Sequence, residues 1–173
     1  MQHWVFGYGS LIWRVDFPYH ERRRADVRGW ARRFWQGSHD HRGTPDAPGR
    51  VVTLVEETGA VCVGAAYRVD AAVLAHLDER EKNGYERVPV TMRLSATKGA
   101  LAAGDTVDGV TYIASPGNFA FLGPRDIDAM VAQIARSHGP SGSNRDYLFR
   151  LAAALADLGC QDSHVEALIE RFR

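Results

Sequence analysis

Short runs of β-branched and aromatic residues occupy much of the first two thirds of the chain, and such runs predict β-strands. The runs cover residues 4–8, 50–56, 61–69, 86–94 and 107–114. The segment Glu57-Thr58-Gly59, which is typical of a tight turn, separates the second run from the third. These two runs are therefore expected to form a hairpin. A loop of small residues at 98–104 divides the last two strands.

Apolar residues recur at helical spacing later in the chain and predict helices. These helices are expected at residues 70–82, 125–138, 144–158 and 163–172. Asp70 is a suitable N-cap for the first helix, and Asn83-Gly84 suits a left-handed C-terminal cap. Because strands gather early, helices gather late and one helix stands among strands, the order predicts an α+β fold rather than a βαβ alternation. No linker or internal repeat interrupts it, so residues 1–173 are expected to form a single domain.

Composition and charge exclude several classes of partner. The chain of 173 residues carries 21 basic and 21 acidic side chains, so its formal net charge is zero. This balance argues against a nucleic-acid or anionic-membrane partner. A local run of arginines is diluted by acidic residues and is expected to be a solvated face; it comprises Arg22, Arg23, Arg24, Arg28, Arg32 and Arg33. No segment reaches the roughly 20 apolar residues of a membrane span and no signal peptide is recognised, so a cytoplasmic location is expected.

Two cysteines and one histidine cluster are the candidates for covalent or metal chemistry. Cys62 and Cys160 are far apart and predict neither a disulfide framework nor a zinc cluster. His39-Asp40-His41 has metal-ligand residue types, but a site there needs a third ligand. Candidates for that ligand from elsewhere in the chain include His3, His20 and His76. The alternative is a loop anchored by side-chain hydrogen bonds or one that presents Arg42 to a carboxylate, and no metal is expected.

The segment Gly7-Tyr8-Gly9-Ser10 follows a predicted strand but fits no phosphate or nucleophile motif. A dinucleotide fingerprint needs a third glycine where Ile12 stands, and a nucleophile elbow needs glycines two residues either side of Ser10. Neither lysine of the chain lies in a phosphate-loop sequence. The aromatic residues around this segment include all four tryptophans, and they form either one side of the core or the wall of a pocket.

Glu81 is the candidate for acid-base chemistry. It follows Leu74 by seven residues and Leu77 by four, so it lies on the apolar stripe of the first predicted helix and points inward. Partial burial and the negative end of the helix dipole both raise the pKa of its carboxyl group toward neutrality. The alternative is a structural ion pair with Arg80 or Arg87.

Several motifs in order resemble the ChaC-like γ-glutamylcyclotransferases, specifically the glutathione-specific branch. They are Val5-Phe6-Gly7-Tyr8-Gly9-Ser10-Leu11-Ile12-Trp13, Arg33-Phe34-Trp35-Gln36-Gly37-Ser38, Asp40-His41-Arg42-Gly43, Pro48-Gly49-Arg50-Val51-Val52-Thr53-Leu54 and Arg80-Glu81-Lys82-Asn83-Gly84-Tyr85. The resemblance extends to Gly139-Pro140-Ser141-Gly142 and Tyr147-Leu148-Phe149, and so covers nearly the whole chain. Asn83 departs from the pattern, in which we expect glycine.

The resemblance implies a small mixed β-barrel flanked by helices, and a lyase that needs no metal or organic cofactor. It implies that the α-amine of glutathione attacks its own γ-carbonyl and releases 5-oxoproline and Cys-Gly, with Glu81 as general acid and base. The residues expected to bind substrate are the loop Gly7, Tyr8, Gly9, Ser10, Leu11 and Ile12, the cations Arg42 and Arg50, and Tyr147. Tyr147 is equally well interpreted as a core ring.

Two other functions fit the same motifs. One is the same reaction on other γ-glutamyl amines or dipeptides, and the other is a module that binds γ-glutamyl compounds without turnover. A metal-dependent hydrolase that uses His39 and His41 is a third hypothesis. No obligate protein partner is expected.

Overall fold

The computed structural model describes residues 1–81, 84–95 and 105–173. The strands within these residues are β1 (Gln2–Gly7), β2 (Glu21–Ser38), β3 (Gly49–Asp70), β4 (Tyr85–Leu94), β5 (Thr106–Ala114), β6 (His138–Gly139) and β7 (Gly142–Ser143). The helices are α1 (Ala71–Arg80), α2 (Ile127–Arg136), α3 (Asn144–Asp157) and α4 (Ser163–Glu170), with a 3-10 helix at Ser10–Ile12. The predicted loop at 98–104 and the cap residue Asn83 lie outside the described residues.

Five strands close into a barrel in the order β1, β3, β2, β4, β5. Neighbouring strands are antiparallel except at the closure, where β1 runs parallel to β5 and Val5 faces Val110. The barrel is therefore mixed, and helices pack against β3 on its flank. This arrangement confirms the α+β class and the small mixed barrel flanked by helices.

The predicted hairpin between residues 50–56 and 61–69 is wrong. Both runs belong to the single strand β3, and both pair with β2. At the expected turn, residues 57–60 of β3 face the single residue Gly29 of β2, so the two strands bulge together without reversing direction. Gly29 and Gly59 have φ values of 85° and 84°, a conformation that glycine adopts without a Cβ clash.

The arginine-rich run, which is expected to be a solvated face, forms β2. Alternate side chains of a strand point to opposite faces, so only part of the run faces solvent. Arg22, Arg24 and Arg28 are exposed, whereas Arg23 and Arg32 are buried, at 3% and 1% exposure. The prediction of a solvated face is therefore wrong for those two arginines.

The helices begin and end near their predicted boundaries. Asp70 occupies the N-cap position of α1, but its carboxylate pairs with His20 Nε2 at 2.9 Å instead of capping the helix. The predicted apolar stripe of α1 is buried; it consists of Val73, Leu74 and Leu77. Gly84, just beyond the helix, has a φ of 89°. None of the helices in the described ranges is long and apolar enough to cross a membrane.

Candidate active site

Two adjoining cavities open at one end of the barrel, where the 3-10 helix, the end of α1 and the start of α3 meet. The outer cavity has a volume of about 340 Å³ and the inner one about 50 Å³. They share the side chains of Ser10, Glu81, Tyr85 and Tyr147. The loop that contains Ser10, the Glu81 carboxylate and the two tyrosines therefore lie close together in the fold, although they are far apart in the sequence.

The predicted loop lines the inner cavity through Gly7, Tyr8, Gly9, Ser10 and Leu11. The N–H groups of Ser10 and Leu11 lie in the first turn of the 3-10 helix, where no acceptor within the helix is available. A Cβ atom on Gly9 would lie 2.9 Å from Val52 Cγ2 and 3.1 Å from Tyr147 Oη, so only glycine fits this close approach.

Ile12 belongs to the same helix but does not line either cavity. Its side chain is buried in the core, and its carbonyl accepts a hydrogen bond from Arg22 Nη2 at 3.3 Å. The structure therefore assigns Ile12 to supporting the loop.

Glu81 caps the C-terminal end of α1 and lines both cavities. Its backbone N–H donates to the Leu77 carbonyl at 2.9 Å, which continues the helical turn and keeps the side chain on the inward face. The alternative ion pairs are not formed: Arg80 contacts Asp16, and Arg87 contacts Asp78 at 3.5 Å. Within the described residues the Glu81 carboxylate has no hydrogen-bond or ion-pair partner.

Burial raises the pKa of the Glu81 carboxyl group above its usual range. The carboxylates of Asp16 and Asp40 also raise this pKa, whereas the Arg80 guanidinium lowers it. Asp16 and Asp40 both line the outer cavity. A carboxyl group with a raised pKa holds its proton up to a higher pH than an ordinary glutamate does, which suits a group that must both accept and return a proton.

Three tyrosines surround Glu81, and burial raises the pKa of each hydroxyl, so each is neutral at physiological pH. Tyr8 Oη donates to the Tyr112 carbonyl at 2.5 Å, and Tyr85 Oη donates to the Val52 carbonyl at 2.9 Å. Tyr147 Oη instead accepts from the Val52 N–H at 3.3 Å. Because Tyr147 uses its oxygen as an acceptor, its own proton is available to a ligand.

The Tyr147 ring also belongs to the core. It packs edge-on against Trp13 with centroids 5.3 Å apart and against Phe34 with centroids 5.8 Å apart. Trp13 lines the outer cavity. The Tyr147 ring is therefore part of the core, and the residue also lines both cavities, so its expected contact with substrate stays a prediction.

Arg42 lines the outer cavity and is 8% exposed. Its Nη1 donates to the Ser143 carbonyl at 3.0 Å and to Asp146 Oδ2 at 3.1 Å, and its guanidinium lies 5.7 Å from the Tyr147 ring centroid. Ser38 Oγ accepts from the Arg42 N–H at 2.9 Å and fixes the backbone there. These contacts hold the Arg42 guanidinium in the wall of the outer cavity.

Arg50, the second expected cation, is not brought to either cavity. Its Nε donates to Gln133 Oε1 at 2.7 Å, and its Nη1 donates to the Phe34 and Gly123 carbonyls, each at 2.9 Å. The side chain is 2% exposed. These contacts connect β3 to the chain around α2, so Arg50 is corrected from a substrate ligand to a structural residue.

The histidines of the 39–41 cluster diverge. His41 Nδ1 lies 3.0 Å from Ser141 Oγ, and the His39 ring packs on Phe119 with centroids 5.4 Å apart. In the part of the chain that the structure describes, no group of three His, Cys, Asp or Glu side chains is placed to hold a metal ion.

Sequence reasoning missed much of the outer cavity wall. Its further lining residues include Arg14, Asp16, Asp40, His76, Arg80 and Tyr85. Tyr85 could have been found, because it is the last residue of the motif that contains Glu81. Asp16 carries no local signal, because only the folded chain brings it beside Arg80 and Glu81.

Comparison with known proteins supports the resemblance. A family model described as "ChaC-like protein" matches residues 3–173. The chain is 45% identical over 182 residues to Gamma-glutamylcyclotransferase 2-3 of Arabidopsis thaliana, covering 100% of this chain and 89% of that protein. It is 40% identical over 175 residues to Glutathione-specific gamma-glutamylcyclotransferase 1 of Homo sapiens, covering 96% of this chain and 77% of that protein.

Solved structures give the same result. A crystal structure of a γ-glutamylcyclotransferase specific to glutathione from yeast superposes with a TM-score of 0.88 at 34% identity, covering 98% of this chain and 94% of that one. A structure described as a γ-glutamyl cyclotransferase matches at 13% identity with a TM-score of 0.59 and shares the fold. The full-length family match, the relatives and the barrel agree, and the chain belongs to the ChaC-like γ-glutamylcyclotransferase family.

Proposed function

We propose that this protein is a γ-glutamylcyclotransferase that cleaves glutathione to 5-oxoproline and Cys-Gly. The observation that carries the proposal is Glu81, a carboxylate with a raised pKa at the junction of the two cavities. Full-length similarity to enzymes named for glutathione supports the choice of substrate.

The reaction needs a base and then an acid at one position. The α-amine of the γ-glutamyl unit is protonated in water and becomes a nucleophile only after it loses a proton. Glu81 accepts that proton, the amine nitrogen bonds to the γ-carbonyl carbon, and the bond from that carbon to the cysteinyl nitrogen breaks. Glu81 then returns the proton to the departing nitrogen. The second proton, which the ring nitrogen loses as it becomes the lactam N–H, is taken up by the released amine, so that Cys-Gly leaves with an ammonium group and no water is consumed. The acyl transfer is intramolecular and calls for no metal or organic cofactor.

The inner cavity suits the γ-glutamyl unit. The N–H groups of Ser10 and Leu11 have no acceptor within the 3-10 helix and can bind the α-carboxylate or the developing oxyanion. The Tyr147 hydroxyl, whose oxygen already accepts from Val52, can donate to the same oxygen atoms. Glycine at positions 7 and 9 allows the loop to pack closely on its neighbours, because a Cβ on Gly7 would lie 2.8 Å from Leu11 Cβ and one on Gly9 would lie 2.9 Å from Val52 Cγ2.

The outer cavity suits the Cys-Gly part, whose terminal carboxylate is anionic. Arg42 is the cation that we assign to this carboxylate, because it lines the cavity while Arg50 does not. A guanidinium can bind a carboxylate through two parallel hydrogen bonds.

The test of Glu81 is turnover of glutathione by Glu81→Gln, with Glu79→Gln as the matched control. Glu79 lies two residues earlier and is exposed on α1. We expect Glu81→Gln to lose activity by about 10²–10⁴-fold, the usual contribution of a general acid-base group, and Glu79→Gln to keep it. Full turnover by a folded Glu81→Gln protein would overturn the assignment.

A second candidate is the same chemistry on other γ-glutamyl amines or dipeptides. The ion pair between Arg42 and Asp146 favours this candidate. Because Asp146 already neutralises part of the Arg42 charge, Arg42 selects less strongly for a substrate with a glycyl carboxylate. Comparing 5-oxoproline release from glutathione and from γ-glutamylalanine separates the two, and equal rates would remove the glutathione specificity.

A further inference from the structure

Arg32 ties the substrate loop to the C-terminal part of the chain. Its Nε donates to the Tyr8 carbonyl at 2.8 Å, and its Nη2 donates to the Val63 carbonyl. Its Nη1 forms an ion pair with Asp162 Oδ2 at 2.6 Å. The Arg32 side chain is fully buried and that of Asp162 is 15% exposed, so this network lies inside the protein beside the inner cavity.

Asp162 is itself held in place by α4. Its Oδ1 accepts from the N–H groups of His164 and Val165, at 3.0 and 3.1 Å, and so caps the helix. The His164 Nε2 atom accepts from the Phe34 N–H at 3.0 Å, which seats α4 on β2 two residues from Arg32. The position of Asp162 is therefore fixed by the fold.

Stability alone does not account for an arginine at this position. Burying a guanidinium and a carboxylate costs desolvation energy, and well-packed apolar residues often replace buried ion pairs without loss of stability. A leucine or methionine could fill the volume but could not donate to a carbonyl. The planar fork of arginine supplies several donors with fixed directions.

The bond to Tyr8 sets the orientation of one peptide group. In a trans peptide, the carbonyl of Tyr8 and the N–H of Gly9 point to opposite sides. Arg32 therefore holds the Gly9 N–H directed away from itself, and both Tyr8 and Gly9 line the inner cavity. A cation bound to the carbonyl also polarises the peptide, which makes its N–H a stronger donor.

We propose that Arg32, held by Asp162, is a positioning residue that presents the Gly9 N–H to the γ-glutamyl unit. This inference rests on the proposed function, since it assigns a donor for the oxygen atoms of that substrate. Arg32 does not touch the substrate, and acts through the Tyr8–Gly9 peptide. The C-terminal helix, far from the loop in sequence, thereby sets the geometry of the site.

The experiment compares Arg32→Lys and Asp162→Asn with Arg23→Lys. Lysine keeps the charge but loses the fork, and asparagine keeps an oxygen that can cap α4 while it removes the ion pair. Arg23 is the control because it is a buried, ion-paired arginine on the same strand, 3.1 Å from Glu21, and lines neither cavity. For each variant, kcat, KM and Tm are measured with glutathione.

We expect kcat of Arg32→Lys to fall by about 10–100-fold, somewhat less than deletion of an oxyanion donor, with a smaller fall for Asp162→Asn. Arg23→Lys should change Tm without changing kcat per folded molecule. The pH of the acidic limb, which belongs to Glu81, should stay in place in all variants. If Arg32→Lys fails to fold, Asp162→Asn carries the test.

Folded variants of Arg32 or Asp162 with kcat within about two-fold of wild type would overturn the positioning role. The positioning role would also be overturned if the activity of these variants fell only in proportion to the fraction of folded protein, as we expect for Arg23→Lys. Wild-type protein that releases no 5-oxoproline from glutathione would instead overturn the proposed function, so the two failures are distinguishable.

Discussion

At the scale of single residues, the proposed catalytic role of Glu81 makes its surroundings decisive for the pH range of the reaction. The Asp16 carboxylate raises the pKa of Glu81, whereas the Arg80 guanidinium lowers it. Asp16 also forms an ion pair with Arg80. Replacing Asp16 removes the first effect and frees Arg80 for the second. Both changes lower the pKa of Glu81.

We expect Asp16→Asn to move the acidic limb of the kcat/KM profile to lower pH, because Glu81 must lose its proton to act as the base. Steady-state kinetics across the acidic range measure this shift. Asp128→Asn, an exposed residue of α2 paired with Arg171, is the control and should leave the profile in place. An unchanged limb, or a shift to higher pH, would contradict the role of Glu81.

The raised pKa of Glu81 also has a consequence for stability. The folded state binds the Glu81 proton more tightly than the unfolded state, so the contribution of this residue to stability falls as pH rises from the usual glutamate pKa through the raised one. We expect Glu81→Gln to unfold at the same or a higher temperature than wild type at neutral pH. The advantage of the variant should grow with pH across that window, and thermal unfolding at several pH values measures it. A variant less stable than wild type at neutral pH would show that the carboxylate is stabilised by the fold.

Periodicity predicted the inward position of Glu81, because the stripe of α1 is local in sequence. The role of Arg50 could not be predicted in the same way. Its partners Gln133 and Gly123 lie far along the chain, and only the fold brings them to the guanidinium.

At the scale of elements, Asn144 joins the start of α3 to β3. Its Nδ2 donates to the Arg50 carbonyl at 2.8 Å, and its Oδ1 accepts from the Arg50 N–H at 2.7 Å. This side chain is fully buried and pairs with β3 as a neighbouring strand would. Tyr147 follows within one turn, so the pairing helps to place its hydroxyl.

We expect Asn144→Ala to lower the free energy of unfolding by about 2–4 kcal/mol, because it leaves two buried backbone groups of Arg50 unpaired. Arg150→Ala, on the exposed face of the same helix, should cost under about 0.5 kcal/mol. Urea unfolding of both variants measures the difference. Equal losses would indicate that the Asn144 pairing contributes nothing beyond helix propensity.

The length of β2 and β3 could not be predicted from the local sequence pattern. Gly59 lies between two β-branched runs, and that pattern predicts a turn. A glycine with positive φ occurs in β-bulges as well as in turns. Here Gly59 of β3 and Gly29 of β2 both have positive φ, at a bulge between the two strands. The β2 sequence lacks a regular alternation of apolar and polar residues, since Arg23 and Arg32 occupy inward positions. Their burial depends on partners from other elements, which a local pattern does not contain.

At the scale of the whole molecule, we propose that residues 1–173 fold as a single domain. The ion pair between Arg32 of β2 and Asp162 before α4 connects the barrel to the C-terminal helices. Tryptophan fluorescence reports on the first 35 residues, where all four tryptophans lie, and far-UV circular dichroism reports largely on the helices. We expect the two unfolding transitions to coincide, as in a two-state domain, and separate transitions would contradict the proposal.

The most direct test of the account is to incubate the purified protein with glutathione and to quantify 5-oxoproline, Cys-Gly and free glutamate. Cyclisation by Glu81 predicts 5-oxoproline and Cys-Gly in equal amounts with no free glutamate, because the nucleophile is the substrate's own amine. Release of Cys-Gly with glutamate instead of 5-oxoproline would show hydrolysis by water and would contradict the account, as would the absence of any product.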